Sequence, residues 1–257
     1  MIRRDFIKKI NCKPFISLLA ILILWELAVR VFKFPTYILP SPISVFIAIF
    51  KYYDVILNAM LVTIYEALVG YGLSILIGLP LGVLIVYSKF FKEYIMPLLV
   101  MTNSVPKSAL APLFLLWAGY GAMSKIMISF LMAFFPIVIN TAVGLYRIDE
   151  NKVNLVKALK GTQYQIFVKV RLPNALPSIF AGMKLAITLA LIGAVVGEFV
   201  GGSHGIGVLI LSASTEIQTA VVFACIIVLS IIGIVLFYSV ELAQKLSIPW
   251  YKEKEKM

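Results

Sequence analysis

Long apolar runs, each bounded by charge or by proline and glycine, constrain this chain more than any other feature. A helix that crosses the hydrocarbon core of a bilayer needs about 20 largely apolar residues. Six such helices are predicted, at about 15–33, 60–87, 94–118, 123–146, 176–200 and 219–243. The composition agrees: 61% of the 257 residues are hydrophobic and 14% charged, where soluble domains run at about 45–50% and about 25%. A soluble enzyme and a disordered chain are therefore excluded. A disulfide scaffold is excluded as well, because the two cysteines, Cys12 and Cys225, sit at opposite ends of the chain. The fold class is all-α integral membrane: a basic head over 1–14, one transmembrane domain over 15–246 and a charged tail over 247–257.

The basic head, with Arg3, Arg4, Lys8, Lys9 and Lys13 before Phe15, has the outline of a secretory signal. No small-residue cleavage site follows, and Trp25-Glu26 continues into further apolar sequence, so it reads as a retained first helix. The net charge of +11 does not point to nucleic acid, because the basic residues flank apolar runs instead of clustering on a soluble face. Their distribution sets orientation, since cytoplasmic loops carry the excess of lysine and arginine. With the N-terminus inside, seventeen fall on inner segments and four (Arg30, Lys33, Lys51, Lys125) on outer ones, while Lys107 and Lys184 fall within or near spans. Both termini are thus expected in the cytoplasm. Three prolines, Pro35, Pro40 and Pro42, forbid a continuous helix after the first span. Residues 43–58 are assigned to an interfacial helix on the outer surface, the alternative being a seventh or re-entrant span.

The segment from Arg147 to Pro173 differs from the other inner loops. It is strongly basic yet helical in pattern, with Val153, Val156 and Leu159 before Gly161 and Ile166, Phe167 and Val170 after it. A basic juxtamembrane loop can simply hold anionic lipid. Two amphipathic segments broken at Gly161 and closed by Leu172-Pro173 suit a helix-turn-helix that docks into a groove on a soluble partner.

At this loop the sequence resembles the permease subunits of bacterial ABC importers, whose signature runs Glu-Ala-Ala, three residues, Gly, nine residues, Ile-x-Leu-Pro. Anchored on Leu172-Pro173, the signature puts Val170 at the isoleucine, Lys160 at the glycine and Asn154-Leu155-Val156 at the acidic start. The second half matches well and the first half is degenerate. Four further stretches resemble the nitrate, sulfonate and taurine branch. They are Leu39-Pro40-Ser41-Pro42; Val105 to Phe114 with Trp117-Ala118-Gly119; Leu172 to Pro177; and Gly197-Glu198-Phe199-Val200 followed by Gly205 to Ile210.

The resemblance implies a type I importer permease that works with a second copy of itself. It implies two copies of a separate ATPase, which would hold the ATP and magnesium, and an extracytoplasmic solute-binding protein. The location implied is a bacterial or archaeal cytoplasmic membrane. The cargo implied is a small anion (sulfonate, taurine or nitrate) or a thiamine or pyrimidine precursor. No cofactor and no catalytic or metal-binding residue is expected in this chain. It has no Gly-x-x-x-x-Gly-Lys-Ser/Thr phosphate loop and not one Gly-Lys pair.

Asn154, Leu155, Val156, Lys157, Ala158, Leu159, Lys160, Gly161, Thr162 and Gln163, with Leu172 and Pro173, are the candidate ATPase contact. Leu155, Val156 and Leu159 would fill the partner's groove, Lys157 and Lys160 would select it electrostatically, and Gly161 would let the chain turn. Gly193, Gly197, Gly201 and Gly205, like Gly78 and Gly82, recur every four residues. Close helix packing is preferred for them over a direct pore role. Lys107 and Glu198, with Asn103 and Ser104 one turn from Lys107, are candidates for the translocation pathway, a structural ion pair or interfacial position remaining open. Glu66 is expected at an interface. His204, alone among outer-loop glycines, reads as a surface turn and not a metal ligand. An ion-coupled secondary transporter is the alternative, but no internal duplication supports it. A membrane enzyme would need clustered carboxylates or histidines that the spans lack.

Overall fold

The computed structural model describes residues 13–250, so most of the basic head, Cys12 and the end of the charged tail lie outside the described residues. Helices α1 (Lys13–Val31), α2 (Pro42–Lys51), α3 (Tyr53–Tyr87), α4 (Met96–Asn103), α5 (Ala111–Ala118), α6 (Ala122–Tyr146), α7 (Glu150–Ala158), α8 (Gln163–Ile166), α9 (Leu172–Gly201), α10 (Ile206–Thr215) and α11 (Thr219–Ser247) follow in order. Among the described residues, four helical stretches are long and apolar enough to cross a membrane: α3, α6, Gln163–Gly201 and α11. A fifth candidate is the broken pair Phe91–Asn103 and Lys107–Ala118.

The chain divides into two units. In the smaller one, Ser41 caps α2 by accepting from the Ser44 N–H, with Pro42 in the first turn where its missing N–H costs nothing. Thr219 donates to the Tyr37 carbonyl at 2.8 Å, and Trp25 and Phe223 rings lie 5.6 Å apart.

In the larger unit, α6 is the hub. The apolar windows of α9 and α6 are 56% and 50% buried within the chain, against 22% for α11. Close approach comes from small residues. A Cβ on Gly70 or Gly193 would meet Ser129, one on Gly78 Ile137, one on Gly82 Thr141, and one on Gly182 Asn140. Two helices thus converge on α6, and Ser129 Oγ donates to the Ala190 carbonyl at 2.9 Å at the tightest point. Lipid supplies no hydrophobic drive between helices, so such packing and such bonds hold them together. Ile137, Phe180, Ile187 and Val240 fill the space beside this seam.

Four boundaries differ from those expected. Residues 53–58 are not part of an interfacial segment but the first turns of α3, because the break falls at Tyr52. The third expected span, 94–118, is not continuous: its halves meet at 91°. Pro106 has no N–H to continue the helix and disfavours a helical conformation at the residue before it, and residues 104–106 lie outside both helices. The fifth span begins thirteen residues before position 176, since Gln163–Gly201 is one helical rod. Leu172-Pro173 therefore does not close the loop. A π-helical turn, Phe167–Arg171, absorbs the proline by letting the Leu172 N–H reach back to Phe167. The same device, Phe91–Ile95, precedes Pro97. Finally, 206–215 forms the short helix α10, where no helix was expected.

Candidate functional site

The loop between α6 and α9 is built from local capping rules. Asp149 caps α7 by accepting from the Asn151 N–H at 3.0 Å. At its other end, the Gly161 N–H donates to the Val156 carbonyl and the Lys160 N–H to the Lys157 carbonyl, both at 2.9 Å. These two bonds form a Schellman motif. The residue in the left-handed conformation is Lys160, with φ +57°, and not Gly161. It stands where the importer signature has its glycine. Gly161 is required for a different reason: a Cβ there would collide with the Val156 side chain and carbonyl. Thr162 then opens α8 with a complete capping box, its Oγ1 accepting from the Gln165 N–H while Gln165 Oε1 accepts from the Thr162 N–H. The backbone N–H groups of Leu159, Lys160, Gly161 and Thr162 all have acceptors in this reversal. Relieving Lys160 of its left-handed strain, as Lys160→Gly, is expected to stabilise the chain by about 1 kcal/mol in reversible unfolding from mixed micelles.

Val153 and Ile166 are buried against the bundle, whereas Leu155, Leu159 and Tyr164 are 64%, 75% and 75% exposed. Val156, expected to face a partner with Leu155 and Leu159, is instead half-buried under Gly161. The exposed apolar face is therefore Leu155, Leu159 and Tyr164, with Lys157 and Lys160 exposed around it. The joint to the bundle is stiff. Asn174 donates to the Arg147 carbonyl at 2.8 Å, the Arg171 guanidinium lies 5.3 Å from the Tyr87 ring centre, and Tyr87 packs edge-on against Phe167.

At the opposite end of the rod, Glu198 is 1% exposed. It accepts from Thr63 Oγ1 and from the Gly207 N–H, both at 2.6 Å, while Thr63 Oγ1 accepts from the Ile206 N–H at 2.9 Å. Gly205, at φ +118°, lies against the carboxyl group with no room for a Cβ. This glycine therefore belongs to a turn folded over Glu198, not to a helix-packing ladder. Gly193 and Gly197 pack on α6, and Gly201 packs on Leu115 of α5. Glu66, expected at an interface, is 2% exposed and in contact with Glu198. Lys125, counted as an outer-loop charge, is 2% exposed and donates to the Tyr120 and Gly121 carbonyls at 2.7 and 2.9 Å. The carboxyl pair and lysine thus form a closed polar cluster, and Glu198 does not join Lys107. Thr63, Glu66 and Lys125 were missed because nothing in their local sequence links α3 and α6 to the far end of α9.

Lys107 sits in the break at Pro106. Its Nζ donates to Asn103 Oδ1 at 2.8 Å and lies 4.8 Å from the Phe135 ring centre. Asn103 and Ser104 are exposed, Ser104 bonding back to the Val100 carbonyl at 3.4 Å. His204 is exposed beside Ser203 Oγ.

Comparison with known proteins fits this geometry. Residues 74–252 match the family described as binding-protein-dependent transport system inner membrane component. A probable ABC transporter permease of Haemophilus influenzae is 34% identical, over 89% of this chain and 94% of its own. A formylaminopyrimidine transport permease of Halalkalibacterium halodurans is 33% identical over 94% and 97%. A putative aliphatic sulfonates transport permease of Bacillus subtilis is 35% identical over 85% and 80%. Among solved structures, the inward-facing MetNI methionine ABC transporter aligns with a TM-score of 0.67 at 18% identity, covering 76% of this chain and 97% of that one. The chain belongs to the family of binding-protein-dependent transport system inner membrane components, and is the permease subunit of an ABC importer with the type I fold.

Proposed function

We propose that this permease works as a pair of identical subunits. Each pair takes substrate from an extracytoplasmic binding protein and is driven by two separate ATPase subunits docked on the α7–α8 turn. The observation that carries the reading is the exposed face of Leu155, Leu159 and Tyr164 on a fully capped turn, continuous through the π-helical segment with the rod that ends at Gly201. Apolar side chains at helical spacing, ringed by Lys157 and Lys160, suit a groove with an acidic rim. Closure of the ATPases on ATP would move the turn, and α9 would carry the motion to the far end of the bundle. Hydrolysis belongs to the ATPases, which hold ATP and magnesium, and this chain needs no cofactor. Both termini and the 147–173 loop face the cytoplasm in this scheme, α1 and the broken pair serve as spans, and the cavity opens alternately to either side. The cargo class is a small anion, such as the sulfonate of one relative, or a pyrimidine precursor, such as that of another.

Co-purification with the ATPase encoded beside this chain tests the reading. Leu159→Glu places a charge at the centre of the apolar face and is expected to lower retained ATPase by about tenfold or more, with the membrane protein still folded. Equal retention by wild type and variant would sink it.

A further inference from the structure

A cavity of about 420 Å³, within the range of small-molecule sites, lies between α7 and the loop end of the bundle. Buried Leu145 and Val153 form its floor, and exposed Tyr146, Asn154 and Lys157 stand at its mouth with half-buried Arg171. On α7, Glu150, Val153, Asn154 and Lys157 lie three and four residues apart and so share one face. The exposed apolar pair, Leu155 and Leu159, falls outside that stripe and outside the lining. The cavity is therefore separate from the surface assigned to the ATPase, with Lys157 at the edge between the two.

The surroundings of this cavity are electropositive. Arg171 holds its guanidinium 5.3 Å from the Tyr87 ring centre, and Lys92 holds its ammonium 5.4 Å from the ring centre of Tyr146, itself part of the lining. The ion pairs among the described residues are Arg30 with Glu26 and Lys245 with Glu241, so Lys92, Lys157 and Arg171 are not ion-paired. Glu150 is the acidic side chain in the lining, which leaves three cations against one carboxylate. The depth suits a lipid headgroup. With its 30 residues α9 is about 45 Å long, and a bilayer with its headgroups measures about 40–45 Å. Arg171 directly precedes α9, and a Cβ on Gly144 would meet Ala175 and Ser178, so the end of α6 is level with the start of α9. With Gly201 at one headgroup layer, Arg171 and Tyr146 stand in the other. Tyrosine is at home in that layer, and basic pockets between spans on the cytoplasmic side bind anionic headgroups.

We propose that this cavity holds the phosphate headgroup of an anionic phospholipid from the inner leaflet. Arg171 offers the phosphate a two-pronged donor, Lys157 a second cation, and Lys92 adds charge across the Tyr146 ring. A zwitterionic lipid brings its own cation to a mouth that is already cationic, so the site discriminates by net charge. The lipid would tie α7 to the ends of α6 and α9, so that the stiffness of this joint depends on the anionic lipid of the leaflet. The site goes beyond the permease reading and rests on it only for which leaflet it faces.

The full chain in dodecylmaltoside micelles is given equal amounts of dioleoylphosphatidylglycerol and dioleoylphosphatidylcholine, and the retained lipid is read by native mass spectrometry. The wild type should hold phosphatidylglycerol in preference to phosphatidylcholine by about tenfold or more, and Arg171→Gln and Lys157→Gln should each lower that preference by about fivefold. Lys157 is exposed, so its variant decides the matter if Arg171→Gln does not fold. Lys89→Gln, which changes an exposed basic residue outside the lining, should leave the preference unchanged. Soluble glycerol phosphate in millimolar excess should not displace the lipid, which separates a headgroup from free phosphate. Equal retention of the two lipids, a preference that survives Lys157→Gln, an equal loss in Lys89→Gln, or displacement by glycerol phosphate overturns the proposal. The permease alone is used, so a failed ATPase co-purification leaves the lipid result standing, and a failed lipid result leaves the ATPase contact standing.

Discussion

Glu198→Ala is expected to destabilise the chain by about 3 kcal/mol or more, since removing a fully buried hydrogen-bonded carboxyl strands its donors in a place water does not reach. The Thr63 hydroxyl and the Gly207 N–H both lose their acceptor, and Lys125 loses a compensating charge nearby. The turn 202–207, which is folded over this carboxyl, then has nothing to hold it. Glu198→Gln keeps one carbonyl oxygen but turns an amide donor toward the other donor, so it should fall between. Glu66→Gln should be close to neutral: the amide keeps the shape of the carboxyl group and can still donate to the neighbouring Glu198, and Glu66 Oε2 has no hydrogen-bond partner to lose. Reversible unfolding from mixed micelles measures all three. An alanine variant as stable as wild type would show that Glu198 is not the keystone of this end.

The second large effect is expected at the α6–α9 seam. A Cβ at position 193 would stand 2.7 Å from Ser129 Cα and 3.0 Å from Ser129 N, which are backbone-linked atoms that cannot swing aside. Gly193→Ala should therefore cost about 1–3 kcal/mol by overpacking, and Gly193→Leu should part the helices and abolish folded yield. Gly72 on α3 is the control, with nothing within 4 Å of its would-be Cβ. Gly72→Ala should stabilise by about 0.5–1 kcal/mol, because it removes backbone freedom in a helix interior at no steric cost. Size-exclusion profiles and unfolding free energies separate the two glycines. Equal behaviour would mean that the seam is not close-packed.

What the sequence disclosed follows from what is local. Apolar runs locate α3, α6, α9 and α11, since length and hydropathy are properties of a single stretch. The helix-turn-helix at 147–173 was legible from its apolar spacing. Its details were not: Lys160 takes the left-handed position because the Schellman bonds count back from Val156 and Lys157, and a glycine next door draws the eye instead. Pro106 broke its helix while Pro97 and Pro173 did not, because a π-helical turn stands before each of the latter, and no composition rule marks one. Thr63 and Glu66 on α3, Lys125 on α6 and Glu198 on α9 come from three separate stretches, and only the fold brings them together. Gly205 kept the four-residue spacing of a ladder although its helix had already ended at Gly201.

The central claim is that ATPase movement reaches the bundle through the continuity of α8 with α9. Inserting two glycines between Phe167 and Val168 breaks that continuity at the π-helical turn and leaves Leu155, Leu159 and Tyr164 in place. ATP hydrolysis by the reconstituted importer, with and without its binding protein, is the measurement. The account predicts that the ATPase still co-purifies with the insertion variant while stimulation by the binding protein is lost. Stimulation at the wild-type level across the broken rod would contradict it.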